Sequence, residues 1–291
     1  QRVLVRNPMN AHQISEISLS PDVVDCIVFW TKNPAPMVSR LNELSQYAYY
    51  FQFTLNAYEK DVEKCLPLLD ERIEVFKQLS KKIGKEKVIW RYDPVFITPK
   101  YNEDFHFSNF KKLASALSGY TEKCVFSYLD YYTNISKSLR EIGVQAISTD
   151  KKNAIADKFS NTAKETGLLL ETCAEDIDLS KHEIEHARCI DDRLISRILG
   201  CELKSEKDKN QRLECGCRAS IDIGLYNTCR NGCVYCYANH SFKTVMSNSE
   251  KYDNNSPILC GTISDDDKIN IRSVKSDILK DNQIRFEGFD K

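Results

Sequence analysis

The sequence predicts an α/β protein, a parallel (β/α) TIM-type barrel that carries a cysteine-rich cluster loop toward its C-terminal end. Three observations lead there. Short apolar, β-branched or aromatic runs alternate with segments of helical period from the first residues to about residue 175. Six such units are visible, and a repeated strand-then-helix order implies parallel strands buried under crossover helices. The length, 291 residues, is that of one α/β barrel. An open doubly wound sheet is the alternative fold, but the sequence contains neither the G-x-G-x-x-G nor the P-loop glycine pattern that would furnish its usual nucleotide site.

Taken in order, the expected strands are Arg2 to Arg6, Asp25 to Trp30, Tyr49 to Leu55, Lys87 to Tyr92, Cys124 to Leu129 and Leu168 to Thr172. Between them, Met37, Leu41 and Leu44 recur at helical spacing, as do Ile73, Phe76, Leu79 and Ile83 before Gly84. Phe107, Phe110, Leu113 and Leu117 mark a third helix, started near Ser108 and stopped by Gly119, and Ile155, Phe159 and Ala163 mark a fourth that ends at Gly167. The chain opens on Gln1 and reads as strand almost at once, so the barrel is expected to lack an N-terminal strand here, with the run from Ser220 to Gly224 as a substitute. Residues 176–214 read as a charged insertion with one brief helix around Leu194, Ile195, Ile198 and Leu199. Residues 215–240 form the cysteine-rich segment, which completes a unit spanning 1–240. A polar extension follows over 241–291, with short strands expected only at Ile258-Leu259 and Ile269 to Ile271.

In such a barrel the active site lies at the C-terminal ends of the strands. The polar residues just past each apolar run therefore form a candidate ring: Lys32 and Asn33, Thr54 and Asn56, Arg91 and Asp93, Ser127 and Asp130, Thr172 and Glu175. Individually most of these satisfy loop backbone or pair with one another, as Arg91 would with Asp93.

The strongest local signal is the stretch from Thr228 to Asn239, TCRNGCVYCYAN. It sets Cys229, Cys233 and Cys236 in a C-x3-C-x2-C spacing. Three thiolates on so short a loop can each face a different iron of one cluster, leaving the fourth iron open. A zinc knuckle that pins the loop is the structural alternative. Tyr235 and Tyr237 flank Cys236 and could shield a cluster, stack on a cofactor base or simply pack. Four more cysteines, Cys173, Cys189, Cys215 and Cys217, could close a second, fully ligated site as an auxiliary iron-sulfur cluster or a tetrahedral zinc, or be unligated thiols. Cys26, Cys65 and Cys124 lie in apolar patterns and read as small core residues, while Cys201 and Cys260 have no assignable partner. Arg218 either neutralises an anionic cluster or pairs with Asp222. His182 to His186 matches the H-E-x-x-H pattern of zinc proteases, but its charged surroundings favour a capping box from Ser180 to Glu183.

The C-x3-C-x2-C run with an aromatic residue before its last cysteine resembles the radical S-adenosylmethionine superfamily, and the segment from Gly224 to Ala238 looks like the spore-photoproduct-lyase-like branch. Across the chain, VLVRNP, VFWTKNP, TCAE, CGCRASIDIG and YCYAN are similar to an uncharacterised bacterial family that carries this motif near its C-terminus. The resemblance implies a [4Fe-4S] cluster on Cys229, Cys233 and Cys236, with S-adenosylmethionine chelating the open iron and yielding a 5'-deoxyadenosyl radical that acts on a small-molecule or macromolecular substrate. It also implies an electron donor. Because the motif comes late in the chain, the implied barrel is circularly permuted. The glycine-glycine-glutamate signature that usually holds the methionine amine is absent from the sequence.

Composition narrows the partners. The net charge is −1 and the pI about 6.6, so nothing in the overall charge favours nucleic acid, although a repair or modification role remains an alternative through the lyase-like branch. No apolar run approaches a membrane span, and twelve cysteines in a chain that needs no disulfide staples suit a reducing cytoplasm.

Overall fold

In the computed structural model, which describes residues 1–279, two sheets share the chain. The first opens it: β1 (Arg2–Asn7) and β2 (Asn10–Ser18) form an antiparallel hairpin around Pro8-Met9. The second holds six parallel strands in the order of the sequence, β3 (Ile27–Thr31), β4 (Tyr49–Thr54), β5 (Val88–Val95), β6 (Lys123–Tyr128), β7 (Leu169–Thr172) and the two-residue β8 (Glu185–His186). Near the other end of the described chain, β9 (Lys268–Arg272) joins β2 in parallel and completes the smaller sheet. Residues 280–291 of the expected 241–291 extension lie outside the described residues.

The expected TIM-type barrel is not formed, permuted or otherwise, because the parallel sheet stays open. β3 pairs only with β4, and β8 pairs only with β7, so each is an edge. The first expected barrel strand, Arg2 to Arg6, is β1, and its hydrogen-bonding edges are taken by β2 and by a bridge from Leu4 to Ile258. Ser220 to Gly224 forms no strand. A hairpin partner only three residues away costs far less loop-closure entropy than a partner across the sheet, so β1 turns back on β2. The β2 strand itself was not among the expected elements.

Adjacent parallel strands joined by crossovers of one hand place their helices on one face. α1 (Ala35–Val38) is a single turn. Pro34 is its N-cap and Pro36 lies in its first turn, where proline is tolerated, and after Ser39 the residues Leu41–Leu44 follow as a separate 3-10 turn, so the helix expected through Met37, Leu41 and Leu44 is broken. α2 (Leu69–Ile83) and α3 (Glu103–Leu117) follow the expected apolar spacing, although α3 starts from Asn102, whose side chain accepts from Phe105 N, and not near Ser108. α4 (Ser136–Glu141) is short. α5 (Thr149–Thr166) starts at Ser148, which accepts from Lys151 N, and stops at Gly167, whose left-handed φ of 70° a side chain would strain. α6 (Asp192–Leu199) is the brief helix expected in the insertion, and α7 (Phe242–Glu250) follows the cysteine loop. Among the described residues no helix is long and apolar enough to cross a membrane.

The helical face holds the main core. Phe53, Trp90 and Phe126 from the strands meet Phe76, Phe110 and Phe159 from α2, α3 and α5, with the last two rings stacked at 3.9 Å. Such a pair contributes about 1 kcal/mol beyond its buried area. Because side chains alternate along a strand, the opposite face receives Tyr50 and Gln52, Ile89 and Arg91, Val125 and Ser127, and Glu171. Leu194 and Ile195 of α6 cover the apolar part of that face and leave its polar part to the loops.

Within the core, His106 of α3 is fully buried between the Tyr92 hydroxyl (2.9 Å) and the Phe96 carbonyl (2.8 Å). Burial lowers its pKa from an ordinary 6.5 to about 4, against smaller raising effects from the Phe96 carbonyl and Glu103. The unfolded chain therefore binds the proton first as pH falls, and the stability gained by keeping His106 neutral is complete above pH 6.5 and lost between 6.5 and 4. Urea midpoints should show a loss of about 2 kcal/mol between pH 7 and pH 5 in the wild type. The loss should be largely absent in His106→Gln, and an equal loss in both would show that His106 is not the titrating group.

Candidate metal centre

The cysteine loop has no regular secondary structure, and its position is set by the loop that follows β4. Glu63 and Cys233 form an isolated antiparallel bridge, Val234 N donates to Val62 O at 3.0 Å, and Cys65 N donates to Asn231 O at 3.0 Å. Gly232 makes the close approach feasible. Its φ is +66°, and a Cβ there would stand 3.3 Å from the Cys65 sulfur.

Side chains complete the anchor. Glu63 is 1 % exposed, and its carboxylate takes Lys32 Nζ at 3.1 Å on one oxygen and Arg72 Nη1 at 3.1 Å on the other. The Tyr235 hydroxyl donates to the same oxygen that Lys32 contacts. Lys32 also lies 5.2 Å above the Tyr235 ring, which packs near Tyr58 and Phe96. Two cations and one phenol thus share one buried carboxylate, and the central residue of the loop is fastened to β3, α2 and the β4 loop together.

Beyond Tyr235 the polar contacts continue across the strand ends. Asn56 Nδ2 lies 3.4 Å from the Tyr235 hydroxyl and donates to Asp93 O at 2.7 Å, while its Oδ1 accepts from Asp93 N at 3.0 Å. The Asp93 carboxylate takes Arg91 and the Ser127 hydroxyl, the latter at 2.6 Å. Burial alone would raise this carboxyl, but Arg91, Ser127 and Lys32 together hold it below the usual range. Arg91 Nη1 then reaches the Cys189 sulfur at 2.8 Å.

Both cysteine sets are gathered in space. Cys229 is exposed, Cys233 and Cys236 are half-buried, and Cys236 N donates to Cys233 O at 3.1 Å as the loop turns. Burial pushes the Cys233 thiol up to about 12, with Lys32 opposing and Glu63 and the two other cysteines adding to the rise. In the second set, Cys189, Cys215 and Cys217 form one buried cluster with Cys173 against it. As the thiols stand, no group of three or more His, Cys, Asp or Glu among the described residues is already posed around a metal position. The donor chemistry of both sets nonetheless fits soft metals, since thiolates are the preferred ligands of zinc and of iron-sulfur clusters.

The ring of strand-end residues is brought together only in part. Lys32, Asn56, Arg91, Asp93 and Ser127 form the network above. Asn33 instead accepts from Ala35 N, and Asp130 is exposed and paired with Arg212. Glu175 accepts from Tyr128 N at 2.7 Å, and burial raises its carboxyl to about 7 against that bond and Lys152. Tyr235 is buried and tethered by its hydroxyl, whereas Tyr237 is 48 % exposed beside Tyr132 and Tyr226. Arg218 pairs with Asp192 at 2.8 Å, neither Asp222 nor the cysteine loop being its partner. Cys124 is buried and Cys26 half-buried, but Cys65 is exposed at the loop contact instead of in the core. Glu183 has a left-handed φ of 58° after a 3-10 turn at Ser180–His182, so neither the H-E-x-x-H helix face nor an α-helical capping box exists. Glu63 and Arg72 escaped sequence reasoning, because Glu63 is one of three acids from Glu59 to Lys64 and nothing in that charged run singles it out.

Residues 1–238 match the family described as a domain of unknown function, DUF1848, and the chain belongs to that family. No curated protein matches the chain.

Removing the Glu63 carboxylate leaves Arg72 and Lys32 buried or half-buried without their counter-charge, a situation that typically costs about 3–5 kcal/mol. Glu63→Ala should lower the urea midpoint accordingly, and a change below about 1 kcal/mol would refute the clamp. Tyr235→Phe, which removes one hydrogen bond, should cost about 1 kcal/mol and speed proteolytic cleavage within residues 225–240 while leaving cleavage elsewhere unchanged.

Proposed function

We propose that this member of the family is an iron-sulfur enzyme of the radical S-adenosylmethionine type, with Cys229, Cys233 and Cys236 as the ligands of a [4Fe-4S] cluster. The observation that carries this reading is the seating of the three-cysteine loop, through Glu63 and Tyr235, at the C-terminal ends of the parallel strands beside a network of polar side chains. A three-ligand loop with one exposed and two half-buried sulfurs suits a cluster that must meet both solvent and substrate.

When bound, the cluster and S-adenosylmethionine would supply one-electron cleavage of the sulfonium and a carbon radical able to abstract hydrogen. The chain's own part is positioning and charge. Lys32 places a cation at the loop, and the Glu63 carboxylate, itself anchored by Arg72, holds that cation in place. Asp93, ionised by Arg91 and Ser127, offers a half-buried acceptor beneath the loop. Tyr237 and its exposed aromatic neighbours Tyr132 and Tyr226 offer a surface on which a planar base can stack, whereas Tyr235 is committed to Glu63. The net charge of −1 does not favour nucleic acid as the substrate.

Anaerobic reconstitution should give a brown protein that binds about four irons at this loop, lost together in Cys229→Ala, Cys233→Ala and Cys236→Ala. Reduction with S-adenosylmethionine should then release 5'-deoxyadenosine. A colourless wild type, or intact reduced cluster without that release, would defeat the cluster or the cofactor part of the reading respectively.

A further inference from the structure

The second cysteine set carries an inference independent of the chemistry at the first. We propose that Cys173, Cys189, Cys215 and Cys217 bind a single tetrahedral metal ion, a structural zinc that pins residues 173–217 to the polar face of the parallel sheet.

The four sulfurs come from three separate places in the chain. Cys173 directly follows β7, Cys189 lies between β8 and α6, and Cys215-Gly216-Cys217 closes the insertion. They meet nonetheless: the Cys173 and Cys189 sulfurs are 3.5 Å apart, and the Cys217 sulfur takes Cys189 N at 3.2 Å and Ile190 N at 3.5 Å. Cys215 packs into the same buried group.

Spacing decides between metals. Around one zinc with bonds of about 2.3 Å, tetrahedral geometry puts neighbouring sulfurs about 3.8 Å apart. The 3.5 Å contact is close to such an edge. In a cubane cluster each thiolate sits on its own iron, and the intervening core drives the sulfurs further apart. A mononuclear site keeps the Cys173–Cys189 spacing nearly as it stands, whereas a cluster would have to part these two sulfurs.

Hydrogen-bond donors point at two of the four sulfurs. Two backbone N–H groups aim at the Cys217 sulfur, and the Arg91 guanidinium aims at Cys189. A neutral thiol is a weak acceptor and gives little return for three such donors, whereas a metal-bound thiolate is stabilised by each of them. Cys189 is fixed from the sheet side as well, since its carbonyl accepts from Tyr50 at 2.6 Å and from Gln52 at 2.9 Å. At Gly216 a Cβ would lie 2.8 Å from Arg188 Cγ, so the turn between the two paired cysteines leaves no room for a side chain.

The segment also has a use for the metal. Between β7 and the cysteine loop only the two-residue β8 and α6 are regular beyond one 3-10 turn, and the apolar cluster under α6 is small. Closing four thiolates on one ion would supply the folding energy that this core does not, because binding is coupled to ordering of the segment. Four thiols bind one zinc ion with release of up to four protons, leaving a site of net charge about −2 that Arg91 partly offsets.

The test uses the full chain carrying Cys229→Ala, Cys233→Ala and Cys236→Ala together, which removes the first set. Elemental analysis of this variant should find about one zinc per chain, and cobalt(II) exchanged into it should give the intense visible and near-ultraviolet absorption of a tetrahedral tetrathiolate. Adding Cys215→Ser or Cys217→Ser should abolish that spectrum. Should these last variants not fold, a thiol-blocking mercurial added to the soluble triple variant should release the zinc in step with about four thiols. No zinc and no cobalt spectrum in the triple variant would overturn the proposal, as would about four irons there or a metal-free Cys173–Cys189 disulfide.

Discussion

The Glu63 carboxylate is the contact on which the architecture of the site depends. It is buried, and it answers two cations from different elements, Lys32 at the end of β3 and Arg72 in α2. A buried ion pair repays its desolvation only with good geometry and with its remaining lone pairs satisfied. Here both oxygens are used, and the Tyr235 hydroxyl adds a third donor. Tyr235 lies directly before the last cysteine of the loop, so the same interaction that neutralises the buried charges also sets where Cys233 and Cys236 stand.

From that clamp a chain of polar side chains crosses the strand ends to the other cysteine set, through Asn56, Asp93 and Arg91 to Cys189. Its members sit on the face that the crossover helices do not cover. One face of the sheet is closed by aromatic packing of α2, α3 and α5, which rigidifies the strands. The other carries charges that would be costly to bury singly and are tolerable because each is paired. The division follows from the alternation of side chains along parallel strands joined in sequence order.

How much of this was legible in the sequence differs by element. The six runs expected from Arg2, Asp25, Tyr49, Lys87, Cys124 and Leu168 are strands to within two residues at their starts, and α2, α3, α5 and α6 follow their apolar spacing, because those signals depend on local periodicity. The helix expected through Met37, Leu41 and Leu44 is instead one α turn and a separate 3-10 turn, a break between Val38 and Leu41 that a periodicity count does not register. Barrel closure was not legible at all. It depends on which edges pair, and β1, whose pattern is that of any half-buried strand, is claimed by the adjacent β2 and leaves β3 as an open edge.

The same distinction governs the site. By itself the sequence determined which side chains could carry metal chemistry, since C-x3-C-x2-C spacing is a property of one short loop, and it marked Lys32, Arg91 and Asp93 by their place just beyond apolar runs. Only the tertiary structure decided that Tyr235 is an anchor and Tyr237 a surface residue, that Arg218 answers Asp192, and that Glu63 lies under the loop. The convergence of Cys173 with Cys189, Cys215 and Cys217 belongs to the same category: nothing in the spacing of these four cysteines along the chain specifies the 3.5 Å contact of Cys173 with Cys189, which arises from the path of the chain around the end of the sheet.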